Sequence, residues 1–262
     1  MPWISGRLAF STLGCPGLPL PEVAELALHT GWRGIELRSA PDEPVHVGLS
    51  AAGRRAAAET LEGAEVLCVA SYVKVASGKI DDERCVADLL AEAALAADLG
   101  ARAVRVFPGG DDEHGDARAI GRLRSAAAQL PGGVEIWLET HDSHPRGEDV
   151  RRVLSQVDDP RVRAIWDARH PWAAGEAVAD TQRALAPWLA HVQVKDNADA
   201  VDKTPVLLGA GAVPLREILR AVEGGGYDGW YSLEWERKWH PGIPPLADAL
   251  AAGNDWVRSL DD

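Results

Sequence analysis

The chain has 262 residues, 46% hydrophobic and 26% charged, ordinary proportions for a globular protein large enough to bury a core without staples. Its formal net charge of −13 repels phosphate backbones and argues against nucleic acid as a partner. No apolar run is long enough to span a bilayer, and MPWISGRLAFS lacks the basic head and apolar stretch of a signal peptide.

Strand-like and helix-like segments then alternate along the chain. Residues 7–11 (RLAFS) read as a strand and 20–31 as a helix with Pro near its start and Gly at its end. A strand over 32–38 precedes a helix over 49–63, and a strand over 64–75 precedes a long helix over 81–100. The next pair is 101–109 and 116–130. The second half repeats the rhythm: strands at 134–140, 162–167, 190–196 and 229–235, and helices at 147–157, 176–187, 213–224 and 244–260. Alternation of this kind implies a parallel sheet. Eight units at this length most economically close into one (β/α)8 TIM barrel spanning 1–262. An open doubly wound sheet is the competing arrangement, but STLGCPG after the first strand is not a GxGxxG phosphate loop. The longest polar break, 195–212, falls on the side of a barrel where long loops bind substrate. The three cysteines (Cys15, Cys68 and Cys85) are odd in number and lack CxxC spacing. They fit a reducing, cytoplasmic compartment, with Cys68 a core residue.

Four oxygen-bearing side chains close four successive strands: Glu139, Asp167, Gln193 and Glu234. A charge at the end of an apolar strand is costly unless paired or bound to a cation. Convergence at one barrel mouth makes a hard nest for a divalent ion. Side chains alternate along a strand, so His191, Gln193 and Lys195 share a face, as do Glu234 and Glu236. His141 follows Glu139 at alternate spacing, and His170 lies three residues beyond Asp167. Glu36 and Arg38 end the second strand. Ten Trp stand against two Phe; Trp166, Trp172, Trp235 and Trp239 fall near the expected mouth, where sugars stack on such rings, although packing is the commoner use.

The segments GWRGIELR, VRVFPGG, WLETHDS, WDARHPW, HVQVKD, LLGAGAVPL and GWYSLEWE, in this order over nearly the whole chain, resemble the xylose isomerase-like barrel superfamily in its sugar phosphate isomerase/epimerase branch. The resemblance implies one divalent metal held by Glu139, Asp167, Gln193 and Glu234, with His170 on substrate oxygens. Many relatives carry His where Gln193 stands. Hydroxypyruvate isomerase-like members carry Gln. An amide oxygen hardens the site and favours Mn²⁺ or Mg²⁺ over Co²⁺ or Zn²⁺. His191 is the alternative fourth ligand.

The expected function is therefore isomerisation or epimerisation of a sugar, sugar phosphate or cyclitol. Glu139 and Glu234 would exchange a proton through an enediolate, and His170, His141, Lys195 and Glu36 would contact substrate. Dehydration or lyase chemistry on a keto-sugar or keto-inositol begins with the same proton abstraction. A non-catalytic sugar-binding barrel is the reading that survives if Gln193 abolishes metal binding. An apurinic-site endonuclease, which shares the superfamily, needs further histidines on the early strands, and WRGIELR and AEVLCVASYVKV have none. Trp-rich loops make a homodimer the expected assembly.

Overall fold

A computed structural model describes residue 4 and residues 6–260; part of the amino-terminal segment read above for a signal peptide lies outside them. The expected rhythm appears nearly element for element. Strands β1 (Leu8–Ser11), β2 (Gly34–Arg38), β3 (Glu65–Lys74), β4 (Ala103–Phe107) and β5 (Glu135–Glu139) alternate with helices α1 (Leu20–Thr30), α2 (Ala51–Thr60), α3 (Asp82–Asp98) and α4 (Gly115–Ala127). Helix α5 (Gly147–Val157) leads to β6 (Val162–Asp167), then α6 (Arg169–Ala173) and α7 (Val178–Leu185). Strand β7 (Leu189–Val194) is followed by the two-residue strands β8 (Asp196–Asn197) and β9 (Pro205–Val206). Helix α8 (Leu215–Gly224), strand β10 (Tyr231–Leu233) and helix α9 (Leu246–Arg258) complete the chain.

Eight strands close in the order β1-β10-β7-β6-β5-β4-β3-β2, each neighbouring pair parallel. Local chemistry sets the boundaries. The Ser50 and Asp81 side chains accept the backbone N–H groups of Gly53 and Arg84, capping α2 and α3. Gly31, at φ 78°, ends α1 in the left-handed conformation that glycine adopts without strain. The main core lies between the strands and the helix ring, where Trp32, Trp166 and Trp235 are buried. A smaller cluster of Ala9, Leu67, Cys68, Ala70, Ala103, Trp137 and Ile165 fills the barrel interior, so Cys68 is the core residue expected.

Two local features depart from the sequence reading. The short helix α6 rises directly from the end of β6 and carries His170. The loop after β7, read as irregular, folds back through the antiparallel β8–β9 pair. Its organiser is Asp196: Oδ2 accepts the N–H groups of Gly209 and Gly211, both at 2.9 Å, and Oδ1 accepts those of Asn197 and Val213. Among the described residues no helix is long and apolar enough to cross a membrane.

Candidate active site at the carboxyl ends of the strands

Register places the strand-end residues together. Asp167 on β6 pairs with Gln193 on β7, and Gln193 pairs with Ser232 on β10, two residues before Glu234. Glu139 ends β5, the neighbour of β6. Glu139, Asp167 and Glu234 each offer an oxygen within 4.8 Å of the others, and all three residues are buried.

The polar accounting in this cluster is unusual. Both oxygens of Glu139, Oδ2 of Asp167 and Oε1 of Gln193 are buried and accept no hydrogen bond. Native interiors rarely leave such atoms unsatisfied. Arg105 Nη1 stands 3.3 Å from Glu139 Oε2 and Lys195 Nζ 2.8 Å from Asp167 Oδ2, but neither approach has hydrogen-bond direction. Lys195 also pairs with Glu234 and with Glu236, the latter at 2.6 Å. Four carboxyl groups (Glu139, Asp167, Glu234 and Glu236) thus face two cations, Lys195 and Arg105, and with all four ionised the group would carry a surplus of two negative charges. Orphaned oxygens, more carboxyl groups than cations and an all-oxygen donor set fit a hard divalent cation.

Protonation follows from this crowding. Burial raises the Glu139 carboxyl above its usual range, and Arg105 only partly offsets it. Burial and neighbouring carboxylates push Glu234 well above that range against the pull of Lys195. Asp167 goes the other way: burial works against its charge, but Lys195 and His170 bring it down to about 2. Burial would discharge Lys195, yet Asp167, Glu234 and Glu236 hold it protonated well above its ordinary value. His170 is lowered to about 3, chiefly by burial, and is neutral at pH 7.

Above the carboxylates lies a cavity of about 400 Å³. His141 and His170, with rings 4.4 Å apart edge to face, line it beside Glu234, Glu236 and Trp239. Tyr72, Phe107 and Leu13 supply apolar wall, and Lys74, Arg169 and Lys203 make part of it basic. None of these six was singled out from the sequence. They come from β3, β4, the start of α6 and loops, whose local pattern carries no chemical signature. Of the tryptophans expected at the mouth, Trp239 lines the cavity and is 53% exposed, whereas Trp166 and Trp235 are buried in the core.

Glu36 was expected among the substrate contacts. It is instead fully buried and does not line the cavity, as is also true of Glu139, Asp167 and Gln193. Its register partners are Ser11, the last residue of β1, and Cys68, in the middle of β3. Its Oε1 is 3.0 Å from His191 Nε2, and its Oε2 accepts Gln193 Nε2 at 2.9 Å. Burial opposes the Glu36 charge, but His191 and these hydrogen bonds hold the carboxyl down at about 2. His191, committed to Glu36 and stacked on Trp137 with ring centroids 5.2 Å apart, is turned away from the orphaned oxygens. Gln193 Oε1 is the free donor atom of strand β7.

Comparison with known proteins places this geometry in context. The profile of the xylose isomerase-like TIM barrel family matches residues 24–260. A probable endonuclease 4 of Mycobacterium tuberculosis (strain ATCC 25177 / H37Ra) is 28% identical over 167 residues, 59% of this chain and 63% of that protein. The chain thus spans less than two thirds of that relative's length. Fructoselysine 3-epimerase of Escherichia coli O157:H7 is 33% identical over 86 residues, 33% of this chain and 31% of the enzyme. The IolI protein, solved with a bound zinc atom, superposes with a TM-score of 0.81 at 17% identity over 97% of each chain, a likeness of fold.

Proposed function

The chain belongs to the xylose isomerase-like TIM barrel family. From that premise and the strand-end geometry, we propose that it is a divalent-metal-dependent isomerase or epimerase of a carbohydrate or cyclitol. The observation that carries this reading is the group of buried oxygens on Glu139, Asp167 and Gln193 that accept no hydrogen bond. Those residues and Glu234 would hold the ion, and Mn²⁺ or Mg²⁺ suits an oxygen-only donor set. When bound, the cation supplies Lewis acidity that polarises a substrate carbonyl.

The chain's own groups do the rest. Glu139 and Glu234 approach one point from β5 and from beyond β10, so that one carboxylate can take a carbon-bound proton and the other return it. Return to the same carbon from the opposite face gives epimerisation, and return to the adjacent carbon gives isomerisation. Lys195, expected on substrate, is instead buried with its ammonium shared among Asp167, Glu234 and Glu236, and it keeps Asp167 ionised. Neutral His170, with His141 beside it, offers hydrogen bonds to hydroxyls. The basic wall of Lys74, Arg169 and Lys203 accommodates a sugar phosphate as well as a neutral ketose.

Nuclease chemistry, which the mycobacterial relative's name raises, has less support. Strands β2 and β3 contain no histidine, and among the described residues the two groups placed to hold a cation, Glu139 with Asp167 and Glu234 and Glu139 with His141 and His170, share Glu139.

Two measurements test the proposal together. Protein purified without chelator should carry close to one divalent ion by elemental analysis, and Glu234→Gln should lose it. Incubated with a panel of ketoses and keto-inositols in D₂O, the wild type should place solvent deuterium on one carbon. The Gln variant should do so at least about 100-fold more slowly, the usual cost of removing an acid–base group. Loss of water from the substrate would assign dehydration instead. Failure to bind Mn²⁺ or Mg²⁺ even when supplied would leave a non-catalytic sugar-binding barrel.

A further inference from the structure

We propose that Glu36 is a positioning residue that sorts the two ends of the Gln193 amide, turning its oxygen rather than its nitrogen toward the cation site. The inference rests on the metal-centre reading above.

A glutamine amide has two ends of nearly equal size and opposite chemistry. Its oxygen has lone pairs to offer a cation and its NH₂ group has none. Nothing in side-chain shape selects between them, so hydrogen-bond partners must do so. Gln193 Nε2 faces two carboxylate oxygens, Glu36 Oε2 at 2.9 Å and Glu234 Oε1 at 3.5 Å. An ionised carboxylate only accepts, so the amide oxygen is excluded from that side and is left buried without a partner. The shorter contact belongs to Glu36, and Glu234 is itself a proposed ligand.

Glu36 reaches Gln193 from the far side. Strand β2 and strand β7 are separated in the barrel by β1 and β10, so the contact crosses the interior. It is braced at each step. Trp137 stacks on the His191 ring, His191 Nε2 lies 3.0 Å from Glu36 Oε1, and Glu36 Oε2 holds Gln193. A fully buried carboxylate is expensive to keep. At this position it has no access to the cavity, so packing alone would be better served by an apolar side chain. Outer groups that orient a ligand typically contribute 10- to 100-fold in metal affinity.

The test is calorimetric titration with Mn²⁺ of the wild type, Glu36→Gln, and the double exchange Glu36→Gln/Gln193→Glu. In Glu36→Gln either end of the new amide can face Gln193, so selection is lost, and the Mn²⁺ dissociation constant should rise by about tenfold or more. In the double exchange the group at position 193 has an oxygen at both ends and needs no sorting, so affinity should return toward that of the wild type. Glu36→Gln binding Mn²⁺ as tightly as the wild type, or a double exchange no tighter than the single variant, overturns the proposal. Should Glu36→Gln fail to fold by circular dichroism, Glu36→Asp carries the same test. It keeps the charge but withdraws it by one methylene; weakened Mn²⁺ binding supports the role and unchanged binding overturns it. A wild type that takes up no Mn²⁺ would instead defeat the metal-centre reading itself.

Discussion

Gln193 concentrates the chemistry of the site at the scale of one residue. Its neighbour in register, Asp167, and its partners Glu36 and Glu234 surround it with acceptors, and its oxygen is left free. An amide oxygen is a hard donor, whereas an imidazole nitrogen shifts preference toward Zn²⁺ and Co²⁺. Gln193→His should therefore move the ratio of Zn²⁺ to Mn²⁺ affinity toward zinc by roughly tenfold, ~1.4 kcal/mol. Competitive metal titration measures it, and an unchanged ratio would place Gln193 outside the coordination sphere. The same position explains why His191 is not interchangeable with it. Two residues earlier on β7, His191 is stacked on Trp137 and engaged with Glu36.

Among the elements, the segment joining β7 to α8 is the one most dependent on a single side chain. Asp196 accepts four backbone N–H groups, from Asn197, Gly209, Gly211 and Val213. The loop closes so tightly on it that a Cβ at Gly211 would lie 2.3 Å from both Asn197 O and Asp196 Oδ1. Lys203, on the cavity wall, belongs to the same loop. Hydrogen bonds to a charged acceptor contribute about 1.5–3 kcal/mol each, with incomplete additivity. Asp196→Ala should then destabilise the protein by about 3 kcal/mol or more, read as a lower urea midpoint. Stability close to wild type would mean that the β8–β9 pair holds the loop by itself. Helix α6 is the complementary case. Its first turn is fixed to the site because Asp167 Oδ1 accepts the N–H groups of Arg169 and His170. One carboxylate thus offers Oδ2 to the site and anchors the histidine-bearing helix with Oδ1.

For the molecule as a whole, a formal net charge of −13 accompanies a barrel that gathers Glu139, Asp167, Glu234 and Glu236 at one end. Acid–base stability is not governed by the site alone. Glu92, half-buried on α3 with Oε2 unpaired, is raised to about 6 by burial. The unfolded chain gives up this proton near 4.5 and the folded chain near 6, so the contribution is intact below pH 4.5 and is lost as pH rises through 6. The loss amounts to ~2 kcal/mol. Glu92→Gln should leave stability little changed at pH 4 and raise it by about that amount at pH 8, with chemical denaturation at both pH values as the check. A variant equally affected at both would show that Glu92 acts through packing.

The architecture and the identity of the strand-end residues were legible from the chain alone. Both are written in local pattern: apolar runs of strand length alternating with helical periodicity, and a charge where each late strand stops, as at Glu139, Asp167 and Glu234. In a closed parallel barrel those ends meet at one mouth, so convergence follows from topology without any coordinate. Tertiary structure alone decided partners and direction. Glu36 meets Gln193 across the barrel interior because closure brings β2 within reach of β7, strands far apart in sequence. The walls from Tyr72, Phe107 and Arg169 could not be read either, since an aromatic ring or a guanidinium becomes part of a cavity only through what stands opposite it. The free end of the Gln193 amide was equally hidden. It depends on a carboxylate 157 residues away, and hydrogen-bond direction is a property of the assembled pair.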